Sequence, residues 1–407
     1  MRDLLVQGMF RSGTTLLSRM LSARPENLLV TDPFVYFFKA YRNFQMERHA
    51  AGSWRPDEPT SDHFLSRYPE VDAAILCADL SETMPVAHLQ RMIGDIRAWK
   101  TAQHPQLCGR LDELQQGTFA QVYRQLVRLC IELYGSPATE VAGTKLSWCE
   151  EYLPALGRAF PETHFVLLVR DLRSIVASQE SRVGAGIGKR PLLFYIRHWR
   201  KSVAFAKAFS EHHSELRGRT HVVRYEDLVC QPRATLERLC STSPLTFHES
   251  MLKPSTYRSA SENGAWTPNS SFDAGEGIYQ DSVDKWRAAL NEDQVRTIET
   301  LAGPELTWMG YEVARKALDT PLNLMPLECE PPIDELAGWI RDFSCCDYLR
   351  DPSARKRELE HEALRRSVIE EAEPPSQELL EALFPASETL PDLRLSWARL
   401  RQLESST

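Results

Sequence analysis

Leu4-Leu5-Val6-Gln7-Gly8-Met9-Phe10-Arg11-Ser12-Gly13-Thr14-Thr15-Leu16-Leu17 passes from an aliphatic strand pattern, through two glycines, into an apolar helix pattern. Gly8 to Thr15 spells G-x-x-x-x-G-T-T. This is the spacing of a phosphate-binding loop, G-x-x-x-x-G-K-[ST], with Thr14 where the lysine stands. A strand, a glycine turn and a helix in this order make an anion cradle. Successive backbone N–H groups form a nest, and the helix N-terminus adds its positive end. A nucleoside-triphosphate enzyme sets the loop lysine on the β- and γ-phosphates beside magnesium. Here the cation is Arg11, inside the loop. A nest plus one guanidinium suits a ligand carrying less charge than a triphosphate, and no metal is expected to be required.

Working outward, Leu28-Leu29-Val30, Val141 to Leu146, Phe165-Val166-Leu167-Leu168-Val169 and Val222-Val223 read as further buried strands. Helical stretches at Leu16–Leu21, Glu150–Ala159, Arg173–Arg182 and Ala234–Cys240 alternate with them. Strand–helix alternation implies an α/β fold: a P-loop-type parallel β-sheet flanked by helices on both faces. Phe34 to about Tyr134 reads as a helical insertion. Gly184 to Tyr195, with glycines at 184, 186 and 188, reads as a loop. Either could cover a substrate. Pro321, Pro326, Pro331 and Pro332 suggest a stiff linker, and Asp351-Pro352 an N-cap and first turn opening a charged helix to about Ala372. The expected division is a main domain at 1–316 and a linker with a C-terminal helical extension at 317–407.

Composition narrows the function. The 407 residues carry a net charge of −8, which argues against nucleic acid as a partner. No run of apolar residues is long enough for a transmembrane helix, and the apolar run at the start is too short for a signal peptide. Nine cysteines without a C-x-x-C pair, and no His/Cys spacing of a zinc site, point to free thiols in a reducing, cytoplasmic compartment.

Arg11-Ser12-Gly13-Thr14-Thr15 resembles the 5′-phosphosulfate loop of sulfotransferases that use 3′-phosphoadenosine 5′-phosphosulfate (PAPS). Three later segments fit the same family in order. Arg170, at the end of the Phe165–Val169 run, and Ser178, eight positions on, resemble the family's 3′-phosphate pair. Val223-Arg224-Tyr225-Glu226-Asp227-Leu228 resembles the segment whose tyrosine lies near the adenine. Gly264-Ala265-Trp266-Thr267-Pro268 resembles the loop that covers the nucleotide. The resemblance spans about residues 1–312 and is greatest in feel to soluble bacterial-type enzymes. The Golgi carbohydrate and tyrosylprotein enzymes share the arginine-type loop but carry a membrane anchor before it, for which this chain is expected to have no room.

The resemblance implies a sulfotransferase with PAPS as co-substrate and 3′,5′-adenosine bisphosphate as product. It implies binding by Arg11, Ser12, Gly13, Thr14, Thr15, Arg170, Ser178, Tyr225 and Trp266, and an acceptor that is a small molecule, glycan or lipid. Homo-oligomers stay open. Lys145 corresponds to a middle-strand lysine of the cytosolic phenol and steroid enzymes, but Ser147 stands where their histidine base would be. Carbohydrate and tyrosyl relatives place a catalytic glutamate at the end of the second strand, where this chain has Asp32-Pro33. Arg11, Asp32 and Lys145 are therefore the candidate catalytic residues, with His104 a weaker base. The alternatives are a P-loop small-molecule kinase, which the missing loop lysine disfavours, and a non-catalytic scaffold acting through the C-terminal helices.

Overall fold

The computed structural model describes residues 2–31, 33–50, 52, 54–57, 68–180, 188–258, 282–313, 329–371, 373 and 375–405. In chain order the strands are β1 (Arg2–Gln7), β2 (Asn27–Thr31), β3 (Val141–Lys145), β4 (His164–Val169) and β5 (Thr220–Arg224). Helix α1 (Thr14–Ser22) follows β1. The insertion holds α2 (Val35–His49), α3 (Pro69–Cys77), α4 (Val86–Lys100), α5 (Pro105–Arg110) and α6 (Phe119–Tyr134). Then come α7 (Leu153–Ala159), α8 (Leu172–Glu180), α9 (Leu192–Lys207), α10 (Tyr225–Cys230) and α11 (Pro232–Thr242). The chain continues with α12 (Trp286–Ala289), α13 (Glu292–Trp308), α14 (Gly338–Arg341), α15 (Pro352–Glu370), α16 (Gln377–Leu383) and α17 (Leu390–Ser405).

These elements gather into two compact units, Met1–Val169 with Phe209–Gln280, and Arg170–Ala208 with Asp281–Thr407. The first holds the whole sheet, which is parallel with strand order β2-β3-β1-β4-β5. The chain leaves β1 toward β2 and leaves β4 toward β5. The carboxyl ends of β1 and β4 therefore flank the point where the winding reverses, which is where open α/β sheets bind ligands.

The apolar runs explain the strands. Phe165 to Val169 is buried throughout, and each large side chain withdrawn from water contributes roughly 1.5–3 kcal/mol. Leu4 and Val6 share a cluster with Leu17, Met20 and Leu21 of α1. The last three recur at helical spacing, so one stripe of α1 faces the sheet. Alternation along β1 sends Leu5 and Gln7 to the other face. In the insertion, α6 opens on a capping box, with Thr118 accepting from the Gln121 N–H and Gln121 from the Thr118 N–H. Its apolar stripe meets aromatic rings at the start of α2: Tyr123 lies 5.3 Å from Phe37 and 5.4 Å from Phe34, the residue that caps the helix.

In the second unit, Asp351 caps α15 by accepting from the Ser353 N–H, with Pro352 in the first turn, as the sequence suggests. Glu362 of α15 is buried between two arginines of α9, at 2.7 Å from Arg200 and 3.0 Å from Arg197. Arg365 pairs with Glu305 of α13. The expected boundary at 316/317 lies outside the described residues. The loop read from Gly184 to Tyr195 ends sooner: α9 begins at Leu192, where the half-buried Glu330 carboxylate accepts from the Leu192 and Leu193 N–H groups (2.5 and 2.9 Å). A cap supplied from so far along the chain leaves no local sequence signal.

Candidate functional site

The loop after β1 has the geometry its spacing suggests. Gly13 has φ 99° and is the N-cap of α1, with no side-chain cap on the helix start. The first N–H groups of α1 therefore point out of the helix toward the loop. A Cβ at Gly13 would stand 2.3 Å from Tyr225 Cδ2, and one at Gly8 would stand 2.5 Å from the Leu168 carbonyl oxygen. Both positions admit only glycine. Arg11 is also left-handed, at φ 64°, a conformation that costs a non-glycine residue about 1–3 kcal/mol. Ser12 is fully buried, and its Oγ has no hydrogen-bond partner. A strained cation, an unsatisfied hydroxyl and an uncapped helix start in one loop fit an anionic group. The residues present therefore suit a phosphosulfate.

The neighbouring strand ends are fixed by register. In β3, Lys145 pairs with Val6 on one side and Thr31 on the other. It is buried, between the strand that feeds the loop and the strand that leads to Asp32. Asp32 itself lies outside the described residues. His104 is buried at the start of α5, and its Nε2 donates to the Thr31 carbonyl oxygen at 2.7 Å. The weaker base candidate thus sits at the carboxyl end of β2, one residue before Asp32. Tyr225 opens α10 straight after β5, with its ring against Gly13. Residues 225 and 13 are thus brought together.

Arg170 follows β4 and Ser178 lies in α8, both in the second unit. The Arg170 guanidinium donates to the Ser282 carbonyl oxygen at 2.8 Å, and its own carbonyl accepts from Trp199 Nε1 at 2.8 Å. Asp171 is gripped by Arg173, which also reaches Glu299 and stacks on Trp286 at 4.1 Å. This arrangement fixes the start of α8. Trp266 lies outside the described residues. Arg258 turns back to the Ser255 and Tyr257 carbonyls, and its own carbonyl accepts from Arg19 of α1 at 2.9 Å.

Two residues near the loop escape a motif reading. The Gln7 side chain is fully buried against three N–H groups, and with its carboxamide oriented to satisfy them the oxygen accepts from Trp148 (3.3 Å), Cys149 and Glu150 (3.0 Å). Trp148 is left-handed at φ 63°, and its ring meets Phe10 of the loop edge-on at 4.8 Å. A lone polar residue closing the aliphatic run Leu4-Leu5-Val6 is the one signal in the sequence that could have pointed to Gln7. The backbone of Trp148 leaves none.

Comparison with known proteins adds the decisive observation. Residues 3–249, well over half of the chain and the whole of the sheet, match the Sulfotransferase family. The chain belongs to the sulfotransferase family. It is 32% identical over 131 residues to carbohydrate sulfotransferase 7 of Mus musculus, covering 30% of this chain and 25% of that protein. It is 23% identical over 178 residues to a putative protein-tyrosine sulfotransferase of Caenorhabditis briggsae, covering 41% of this chain and 59% of that one. The chain thus spans about a quarter and three-fifths of these curated relatives. Among solved structures, the sulfotransferase domain from the curacin biosynthetic pathway shares 18% identity over 76% of this chain and 98% of its own, with a TM-score of 0.44. The sulfotransferase domain of the Synechococcus PCC 7002 olefin synthase shares 20% over 77% and 95%, with a TM-score of 0.43. No helix among the described residues of this sulfotransferase is long and apolar enough to cross a membrane.

Proposed function

We propose that this sulfotransferase is an enzyme that moves a sulfuryl group from PAPS to a hydroxyl or amine of a small-molecule, sugar or lipid acceptor. The observation that carries the reading is the loop at the carboxyl end of β1. Its helix start is uncapped, its glycines admit no side chain, and its cation is Arg11. The names of the two curated relatives favour a hydroxyl acceptor. The nine cysteines, scattered along the chain without a C-x-x-C pair, favour a reducing, cytoplasmic setting.

The acceptor oxygen attacks sulfur in line. A new S–O bond forms as the bond from sulfur to the phosphate oxygen breaks, and its electron pair stays on that oxygen. Arg11 and the N–H groups at the start of α1 stabilise this growing charge. Lys145 adds a second cation from β3. Asp32 accepts the acceptor's proton. In this reading Ser12, Thr14 and Thr15 hold the 5′ end of the donor, and Arg170 and Ser178 hold its 3′-phosphate. Tyr225 and Trp266 flank the adenine.

Calorimetric titration with 3′,5′-adenosine bisphosphate, and separately with ATP and magnesium, tests the donor. Binding of the bisphosphate alone supports the reading, and binding of ATP alone replaces it with a kinase. A mass-spectrometric screen with PAPS for the gain of one SO3 group tests the reaction class by class of acceptor. Turnover is expected to survive EDTA. A chain that binds the bisphosphate but sulfonates nothing in any acceptor class would instead be a scaffold.

A further inference from the structure

β1 and β3 lie side by side, and each ends in a segment the proposed reaction uses: β1 in the anion loop, β3 in Lys145. Their mutual pairing ends at Val6 and Lys145, followed by one bond from the Leu146 N–H to the Val6 carbonyl, while Gln7 pairs on with Leu167 of β4. Beyond that point the loop and the turn at 147–150 need another constraint. Gln7 supplies one. Its side chain leaves the face opposite α1, is fully buried, and meets three successive N–H groups, those of Trp148, Cys149 and Glu150. Three converging donors fix the carboxamide with its oxygen toward the turn. The Phe10–Trp148 ring contact ties the same turn to the loop from a second point.

Three backbone N–H groups in a row, one flanking a left-handed residue, make the kind of concavity that binds anions. Here a neutral oxygen from the neighbouring strand occupies it. A water-filled or anion-filled nest would let the turn move independently of the loop. A side chain rooted in β1 makes the turn follow the loop.

We propose that Gln7 is a positioning residue for sulfuryl transfer: by occupying the amide nest at 148–150 it holds the turn after β3 against the loop that carries Arg11. This rests on the reading under Proposed function. The fully buried Gln7 side chain is spent on the turn. Its effect falls on the rate of transfer and not on nucleotide affinity, which the loop supplies in this reading.

The test compares Gln7→Leu, which keeps size and removes the acceptor oxygen, with Gln7→Glu, which restores an oxygen in the same place. Wild-type binding of 3′,5′-adenosine bisphosphate and wild-type turnover are measured first, and their absence would remove the functional reading itself. With both present, Gln7→Leu is expected to bind the bisphosphate within a few-fold of wild type. Its kcat should fall by about tenfold to a hundredfold, the scale of a misplacement near 1 Å. Gln7→Glu should recover most of that loss. An unchanged kcat overturns the proposal, as does a kcat and affinity that fall together without rescue by Gln7→Glu. If Gln7→Leu does not fold, Phe10→Leu loosens the same turn from the other contact. The same split between kcat and affinity is expected there, and wild-type kinetics in Phe10→Leu overturn the proposal.

Discussion

The ring of Tyr225 occupies the space that any side chain at Gly13 would need, with Cδ2 only 2.3 Å from where a Cβ would stand. The two residues come from the two separate segments of the first unit, and their contact joins the anion loop to the carboxyl end of β5. Gly13→Ala therefore meets both a clash and a φ of 99°. We expect a loss of at least about 1–3 kcal/mol in stability and a larger loss of bisphosphate binding. Adding Tyr225→Ala should recover stability but not binding. Thermal denaturation and calorimetry of the single and double variants check this, and full recovery of binding in the double variant would refute it.

Arg11 is expected to act on the rate. Arg11→Ala removes a donor aimed at developing charge, and kcat should fall by about a hundredfold or more. Arg11→Gly should be equally inactive yet more stable than Arg11→Ala, because only glycine takes a φ of 64° without strain. Steady-state kinetics with Tm on the same samples would expose an error in either half.

Asp32 is proposed as the base, so Asp32→Asn should lower kcat and leave bisphosphate affinity near wild type. The acidic limb of the pH–rate profile should disappear with it. Persistence of that limb in Asp32→Asn would move the base elsewhere, and His104, bonded to the Thr31 carbonyl one residue away, is the next variant to make.

The strands could be read because most carry a short aliphatic run bounded by polar residues, as Phe165 to Val169 illustrates. The loop could be read because glycine at 8 and 13 carries backbone information in its identity. Contacts between distant segments could not. Nothing around Leu192 reports that Glu330 starts its helix, and nothing in Trp148 reports a positive φ. Gln7 was visible as a polar residue ending an apolar strand, but its partners are backbone amides, which have no letter in a sequence.

At the amino ends of β4 and β5, His164 Nδ1 and His221 Nε2 lie 3.0 Å apart with their rings parallel. Burial and the neighbouring His164 push the His221 imidazole down to about 4. Burial, with Arg219 nearby, lowers His164 as well. In the unfolded chain both titrate near ~6.5. Between those values the unfolded chain binds more protons, so stability is complete at neutral pH and declines as pH falls from about 6.5 toward 4. His221→Gln should flatten the fall in Tm between pH 7 and pH 5, and an identical slope in variant and wild type would exclude the pair as its source.

Glu362 is buried against Arg197 and Arg200. Burial alone would raise its carboxyl, but the two guanidinium groups hold it well below the usual carboxylate range. Glu362→Gln leaves two inward-facing cations undercompensated, at a cost of about 3–5 kcal/mol. Chemical denaturation should show that loss. A change under about 1 kcal/mol would mean that solvent reaches the pair. Deleting the C-terminal helices removes Glu362 outright, so point variants separate catalysis from stability more cleanly than truncation does.

The interleaving of the two units imposes an order of events during synthesis. Ribosomes deliver about 5–20 residues per second. The fifth strand of the sheet is complete at Arg224, while the last helix of the other unit ends at Ser405. Arg170–Ala208 is therefore made early and waits on the order of ten seconds or more for the helices that neutralise its arginines. For that interval a nascent chain exposes a cationic, aromatic-rich segment that has yet to meet the carboxylates of α13 and α15.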